Sequence, residues 1–174
     1  LPLNPNATSA SGIRPIKMIN AFKDLGYNVE LVTGYSKERK KAAKNIIKKI
    51  KFGAKYDFIY TESSTMPTLL TDPKHLPTHP FFDFNFFHFL KQNNIPIGLF
   101  YRDIYWLFAE YDNHLPKWKA LISKFFYRHD LKQYEKSLTK LYLPSIEMGR
   151  YIPYVSEEKH KALPPGYTPV KVDT

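Results

Sequence analysis

Apolar positions along this chain fall into short blocks of two kinds. Residues 95–103, IPIGLFYRD, form an unbroken apolar run that stops at a charged pair, with Ile104, Tyr105 and Trp106 directly after it. A run of this length without polar alternation reads as a strand buried on both faces, as in a parallel sheet. Its abrupt charged end reads as the point where a strand opens into a ligand crevice, because open α/β sheets bind ligands at the carboxyl ends of their strands. Residues 29–33 (VELVT), 56–60 (YDFIY) and 141–143 are further short strands, and residues 159–163 are a last edge strand.

Between these blocks the apolar spacing becomes helical. In residues 15–25, Ile16, Ile19, Ala21, Phe22 and Leu25 recur near helical spacing. Pro15 suits a first helical turn, and Gly26 supplies the stop. The loop ahead of it, Ser9-Ala10-Ser11-Gly12, is made of small residues and leads to a helix N-terminus, where free backbone N–H groups favour an anion. Ser36 is placed to cap a second helix running to about Phe52, with Ala42, Ala43, Ile46, Ile47 and Ile50 on one side and lysines over the rest. Residues 66–80 are irregular, with prolines at 67, 73, 77 and 80. Residues 81–90 are almost wholly aromatic and form a buried helix. A long helix runs from Pro116 to about Leu138, with Trp118, Leu121, Ile122, Phe125 and Phe126 at offsets 0, 3, 4, 7 and 8. Ser145 caps one or two further turns that end near Tyr151.

Helices alternating with short apolar strands predict an α/β fold: a Rossmann-like doubly wound parallel sheet, in one domain spanning residues 1–163 with a linker from Pro164 onward. A doubly wound domain begins with a strand, yet residues 1–14 read as a loop. The pattern therefore predicts an apolar strand of the natural protein just before Leu1.

Composition narrows the chemistry. The 174 residues contain no cysteine, which excludes a disulfide scaffold, thiol catalysis and a Cys-built zinc site, and fits a reducing, cytoplasmic compartment. No apolar stretch approaches the roughly 18–20 residues that span a bilayer. The six histidines show no ligand spacing, so no metal site is predicted. There is no G-x-G-x-x-G and no Walker lysine loop, which argues against a dinucleotide dehydrogenase or a P-loop enzyme. The formal net charge of +10 suits an anionic partner or simple solubility. Lys117, Lys119 and Lys124 flank the Trp118 stripe. That helix reads either as packed on the sheet or as lying on anionic lipid, with Trp118 at the boundary.

The candidate site gathers at the strand exits. Arg102 can grip a phosphate or carboxylate in two-pronged fashion, and Asp103 can accept a hydrogen bond from a sugar hydroxyl or act as a base. The bland alternative is an Arg102–Asp103 pair that caps the following helix. Glu62 and Ser63 occupy the exit of the neighbouring strand. Tyr101, Trp106 and Ser145 complete the expected lining.

Taken together, these segments resemble the N-terminal half of a GT-B glycosyltransferase of the retaining group 1, or family 4, type. Ser11-Gly12-Ile13-Arg14-Pro15 stands where that family has its glycine-containing first loop. FKDLGYNVELVTG resembles its helix–glycine–strand segment. IPIGLFYRDIYW is similar to the strand whose exit carries an acid or histidine facing the active site, and LTKLYLPSIEMGRYI to the segment ending in a strand and serine. LPPG resembles the close of the N-terminal domain. Two departures stand out: one glycine instead of a pair in the first loop, and Arg-Asp instead of His-Glu or His-Asp at the exit.

The resemblance implies transfer of a sugar from a nucleotide-sugar donor to a glycan or glycolipid acceptor, in cell-surface polysaccharide synthesis, without a cofactor or bound metal. Asp103 and Arg102 are then catalytic, and Ser11, Gly12, Glu62, Ser63, Tyr101, Trp106 and Ser145 bind substrate. The resemblance also implies that these residues, without a donor-binding second domain, are catalytically incomplete alone. The interfacial reading of the long helix, with Trp118, Lys117, Lys119 and Lys124 facing the inner surface of the cell membrane, rests on its own stripe and lysines and is compatible with that activity. The competing reading is a non-catalytic, basic α/β module for nucleic acid or anionic membrane. No RNP-like or helix-turn-helix pattern supports nucleic acid, and the glycosyltransferase resemblance implies no nucleic-acid partner.

Overall fold

The computed structural model describes residues 2–166. Four strands, β1 (Ile59–Glu62), β2 (Ile97–Phe100), β3 (Lys140–Leu143) and β4 (His160–Ala162), form one sheet in the order β1-β2-β3-β4. All three pairings are parallel, with Glu62 opposite Phe100, Phe100 opposite Tyr142 and Leu143 opposite Ala162, so the carboxyl ends line up. The helices are α1 (Ala10–Asp24), α2 (Ser36–Lys51), α3 (Phe82–Gln92), α4 (Ala109–Asn113) and α5 (Lys117–Ser137).

Side chains alternate across the strands, so one face of the sheet carries Ile59, Ile97, Leu99, Leu141 and Leu143. Their partners are Ala43 and Ile46 of α2, Phe84, Phe86 and Leu90 of α3, and Tyr127, Leu131 and Tyr134 of α5. The other face is lightly dressed. There α1 lays Phe22 against Phe58 and Tyr60 at 5.5 Å between ring centroids, and none of its residues is fully buried. Gly98 is needed on this face because Tyr142 lies across it: a Cβ would sit 2.7 Å from the Tyr142 ring. The parallel α/β class therefore stands, with α2, α3 and α5 on one face and α1 on the other.

Three expectations are corrected. Residues 29–33 form no strand; Glu30 ties them to α2 and to the start of the next segment, accepting from Lys49 (2.8 Å) and Tyr56 (3.0 Å). A strand is defined by its ladder, and no described segment lies beside this one to complete it. The first helix starts at Ala10 and carries Pro15 in its interior. Ala10 to Arg14 extend it backward, so Pro15 falls at the sixth position, where the helix goes without the hydrogen bond to the Ser11 carbonyl. The second strand begins at Ile59, three residues later than its apolar block, and takes in Thr61 and Glu62. The edge strand at 160–162 and the Ser145-capped turns (Ile146–Tyr151) agree with the sequence reading. The linker expected from Pro164 falls partly on residues outside those described.

The irregular residues 66–80 are anchored by polar clamps. Asp72 accepts from the Ser36 amide (2.7 Å) and hydroxyl (2.5 Å) and from the Thr78 hydroxyl, which seats a carboxylate at the N-terminus of α2. Buried Arg39 binds Asp83 of α3 at 2.9 Å and the Gly34 carbonyl at 2.9 Å. Thr68 N–H donates to buried Asp130 of α5 at 2.6 Å.

Candidate functional site at the carboxyl edge of the sheet

The exits of β1 and β2 are tied together. Ser63 N–H donates to the Phe100 carbonyl (2.9 Å), and the Arg102 amide donates to Ser63 Oγ (3.0 Å). This brings Glu62, the last residue of β1, against Arg102. The guanidinium of Arg102 donates to Glu62 Oε2 at 3.0 Å. Arg14 approaches from α1: its Nε lies 3.4 Å from Glu62 Oε1, and its guanidinium stacks on the Phe100 ring at 3.7 Å. Tyr60 donates to the same Oε1 at 2.9 Å.

Two guanidiniums thus share one carboxylate, and all three side chains are mostly buried. Burial pushes the Glu62 carboxyl above its ordinary range, against the pull of Tyr60 and the two arginines. Burial and the neighbouring Glu62 charge raise the Tyr60 hydroxyl as well, despite Arg14. Both arginine Nε atoms are buried without a hydrogen-bond partner among the described residues. The cluster carries an excess of positive charge, the arrangement that favours a phosphate or carboxylate.

Arg102 and Asp103 do not pair with each other. Asp103 is half-buried at the exit of β2 and accepts from Tyr105 N–H at 3.1 Å, capping the turn Tyr105–Leu107. Its carboxylate remains at the rim of the sheet edge. The expectation that Arg102 orients Asp103 is corrected: Glu62 is a full counter-charge within reach, and an aspartate beside an arginine in sequence projects to the other side of an extended chain.

Tyr101 and Trp106 are corrected too. Both are core residues, 4 % and 1 % exposed. Trp106 donates to the Tyr101 hydroxyl at 2.9 Å and stacks on Tyr127 at 5.1 Å. Each polar handle satisfies the other inside, so neither ring lines a crevice. Ser11 and Gly12 lie in the first turn of α1. The Gly12 amide is spent on the Ser9 carbonyl (3.0 Å), and its missing Cβ admits the Ala7 side chain. The glycine therefore serves a close approach of the preceding chain and offers no backbone donor to a ligand. Ser145 is exposed beyond β3, where its hydroxyl accepts from Glu147 N–H at 3.3 Å.

Two groups escaped the sequence reading. Arg14 stood in a presumed loop; once the helix is taken back to Ala10 it falls on the second turn, facing the sheet. Ser36, Asp72 and His79 form a Ser–Asp–His cluster, with Ser36 Oγ 2.9 Å from His79 Nδ1. It is a helix-end clamp. The carboxylate binds the serine itself and leaves the imidazole unoriented, and Ser36 is buried, so the relay of a hydrolase nucleophile is absent.

No three His, Asp or Glu side chains among the described residues converge on a metal-sized point, and no described helix is long and apolar enough to cross a membrane. No family model matches the chain, and no curated protein and no solved structure is detectably similar to it.

Proposed function

We propose that this chain is the acceptor-side domain of a GT-B glycosyltransferase, which moves a sugar from a nucleotide-sugar donor to a hydroxyl of a glycan or glycolipid. The observation that supports it is the aligned carboxyl edge of an all-parallel sheet: the two-arginine cluster on Glu62 and then Asp103 follow the ends of β1 and β2, and Ser145 follows the end of β3. Asp103 accepts the acceptor hydroxyl's proton or hydrogen bond through the carboxylate oxygen that Tyr105 does not hold. Arg102 and Arg14, fixed by Glu62, hold a phosphate of the acceptor or donor. The donor lies mainly on a second domain.

The test is transfer of labelled sugar from a panel of nucleotide sugars by the intact enzyme. Asp103→Ala lowers turnover by about 10²-fold or more, with little change in thermal midpoint because the side chain is outside the core. Unchanged turnover removes Asp103 from the mechanism. No transfer from any nucleotide sugar to glycan or glycolipid acceptors overturns the reading.

A further inference from the structure

The long helix carries an apolar stripe on the side that faces away from the sheet. Trp118, Leu121, Ile122 and Phe125 are 62 %, 68 %, 44 % and 63 % exposed. The buried side of the same helix is Ala120, Ser123, Tyr127, Asp130, Leu131 and Tyr134. At about 100° per residue the two sets lie on nearly opposite sides of the helix. Past Phe125 the outer side turns polar, with Arg128, Lys132 and Lys136. The unpartnered apolar surface is thus confined to the first two turns.

Those turns project from the same end of the molecule as the candidate site. β3 follows α5 after two residues, so the helix ends at the amino edge of the parallel sheet and begins beyond its carboxyl edge. A helix of 21 residues spans about 31 Å, against about 13 Å for a four-residue strand.

The rim of the stripe is basic. Lys117, Lys119 and Arg128 are exposed and make no ion pair among the described residues, and the Lys119 ammonium lies 5.4 Å from the Trp118 ring. The acidic groups alongside are Glu110 and Asp112 of α4, and Asp112 is taken by Lys124 at 2.7 Å. An exposed apolar stripe edged by unpaired cations, with tryptophan at its border, complements an anionic lipid surface. A second copy in a twofold contact would set the same basic rim against itself.

We propose that the first two turns of α5 dock on an anionic bilayer, with Trp118, Leu121, Ile122 and Phe125 entering the headgroup boundary and Lys117, Lys119 and Arg128 meeting lipid phosphates. The docking stands apart from the glycosyltransferase reading. Where that reading holds, it turns the carboxyl edge toward the membrane and makes the acceptor a lipid-linked one.

Vesicle co-sedimentation and tryptophan emission test it. Trp106 is sealed in the core, so a blue shift on binding reports Trp118. The full chain binds phosphatidylcholine vesicles containing about 30 mol % phosphatidylglycerol, with a blue shift, and binds pure phosphatidylcholine poorly. The double variant Leu121→Glu/Phe125→Glu, altered only at exposed positions, keeps its circular dichroism and melting temperature and loses about tenfold or more in vesicle affinity. Lys117→Glu/Lys119→Glu loses several-fold, more at low salt. Failure of the parent chain to bind anionic vesicles, equal binding to neutral ones, or undiminished binding by Leu121→Glu/Phe125→Glu overturns the proposal. So does a lipid-free dimer that those substitutions abolish, which would make a second copy the occupant. Sugar transfer by a chain that fails to bind vesicles would leave the enzymatic reading intact and remove the docking alone.

Discussion

Asp72→Ala tests whether a carboxylate donated by an irregular loop holds the start of α2. In the native chain Asp72 receives the Ser36 amide at 2.7 Å and the Ser36 hydroxyl at 2.5 Å, together with the Thr78 hydroxyl. Removing it strips one of the free first-turn amides of its partner, worth about 1–2 kcal/mol. It also strips two hydroxyls of a charged acceptor, worth about 1 kcal/mol or more in total. The expected loss is about 3 kcal/mol. The same contacts set its titration: burial raises the carboxyl, but the hydrogen bonds from Ser36 and Thr78 more than reverse it and bring it from 3.8 down to about 2. Because the folded value is depressed, the stabilisation is complete above the unfolded value of 3.8 and disappears as pH falls through about 2. Urea unfolding followed by circular dichroism near neutral pH should show the loss in full, with a melting midpoint lower by about 6–12 °C. Down the acid range the gap between parent and variant should close as the parent's carboxylate protonates. A gap that stays constant with pH, or one below about 0.5 kcal/mol at neutral pH, refutes the clamp.

Trp106→Ala removes a 1 %-exposed ring stacked on Tyr127 and orphans the Tyr101 hydroxyl; calorimetry should register a loss of about 3–5 kcal/mol. Gly98→Ala drives a methyl to within 2.7 Å of the half-buried Tyr142 ring, which must swing away; denaturant titration should show about 1–2 kcal/mol lost, and Gly98→Ala combined with Tyr142→Ala should recover part of it. Glu62→Gln leaves Arg14 and Arg102 without their counter-charge; amides of α1 should exchange about tenfold faster while those of β2 and β3 hardly change, as hydrogen exchange resolved by residue would show.

The elements legible in the sequence are those whose residues are chosen by burial. β2 is an unbroken apolar run because both its faces are covered, and α3 is aromatic because it fills the space between α2 and α5. Where a partner decides, the sequence is silent. Residues 29–33 have a strand's composition and lack its ladder. The Trp118 stripe illustrates a different failure. Periodicity reports that an apolar side exists and says nothing of which way it points. The side that meets the core is the less apolar one, because Ala120 and Ser123 permit close approach and Asp130 and Tyr134 find Thr68 as a polar partner. Composition alone favours the opposite assignment.

The positions of the candidate residues were legible in the sequence for a similar reason. Strand exits are predictable from where apolar runs stop, so Glu62, Ser63, Arg102 and Asp103 all lie where expected. Their pairing depends on which exits adjoin in the sheet, and that fact is not local. Glu62 reaches Arg102 across forty positions of sequence and Arg14 across forty-eight. This pairing also makes Glu62 serve two purposes. α1 buries no residue fully, and its hold on the sheet rests on Phe22 against Phe58 and Tyr60 and on Arg14 against Phe100 and Glu62. A change at Glu62 or Arg14 therefore disturbs the seat of a helix and the charge of the site at once, and loss of activity in such a variant would not distinguish the two. Asp103 carries less of that double duty: its hydrogen bond among the described residues is the one from Tyr105 N–H, at a short turn and not at the seat of a helix on the sheet. Among the charged residues at this edge, it is the one whose removal separates chemistry from folding.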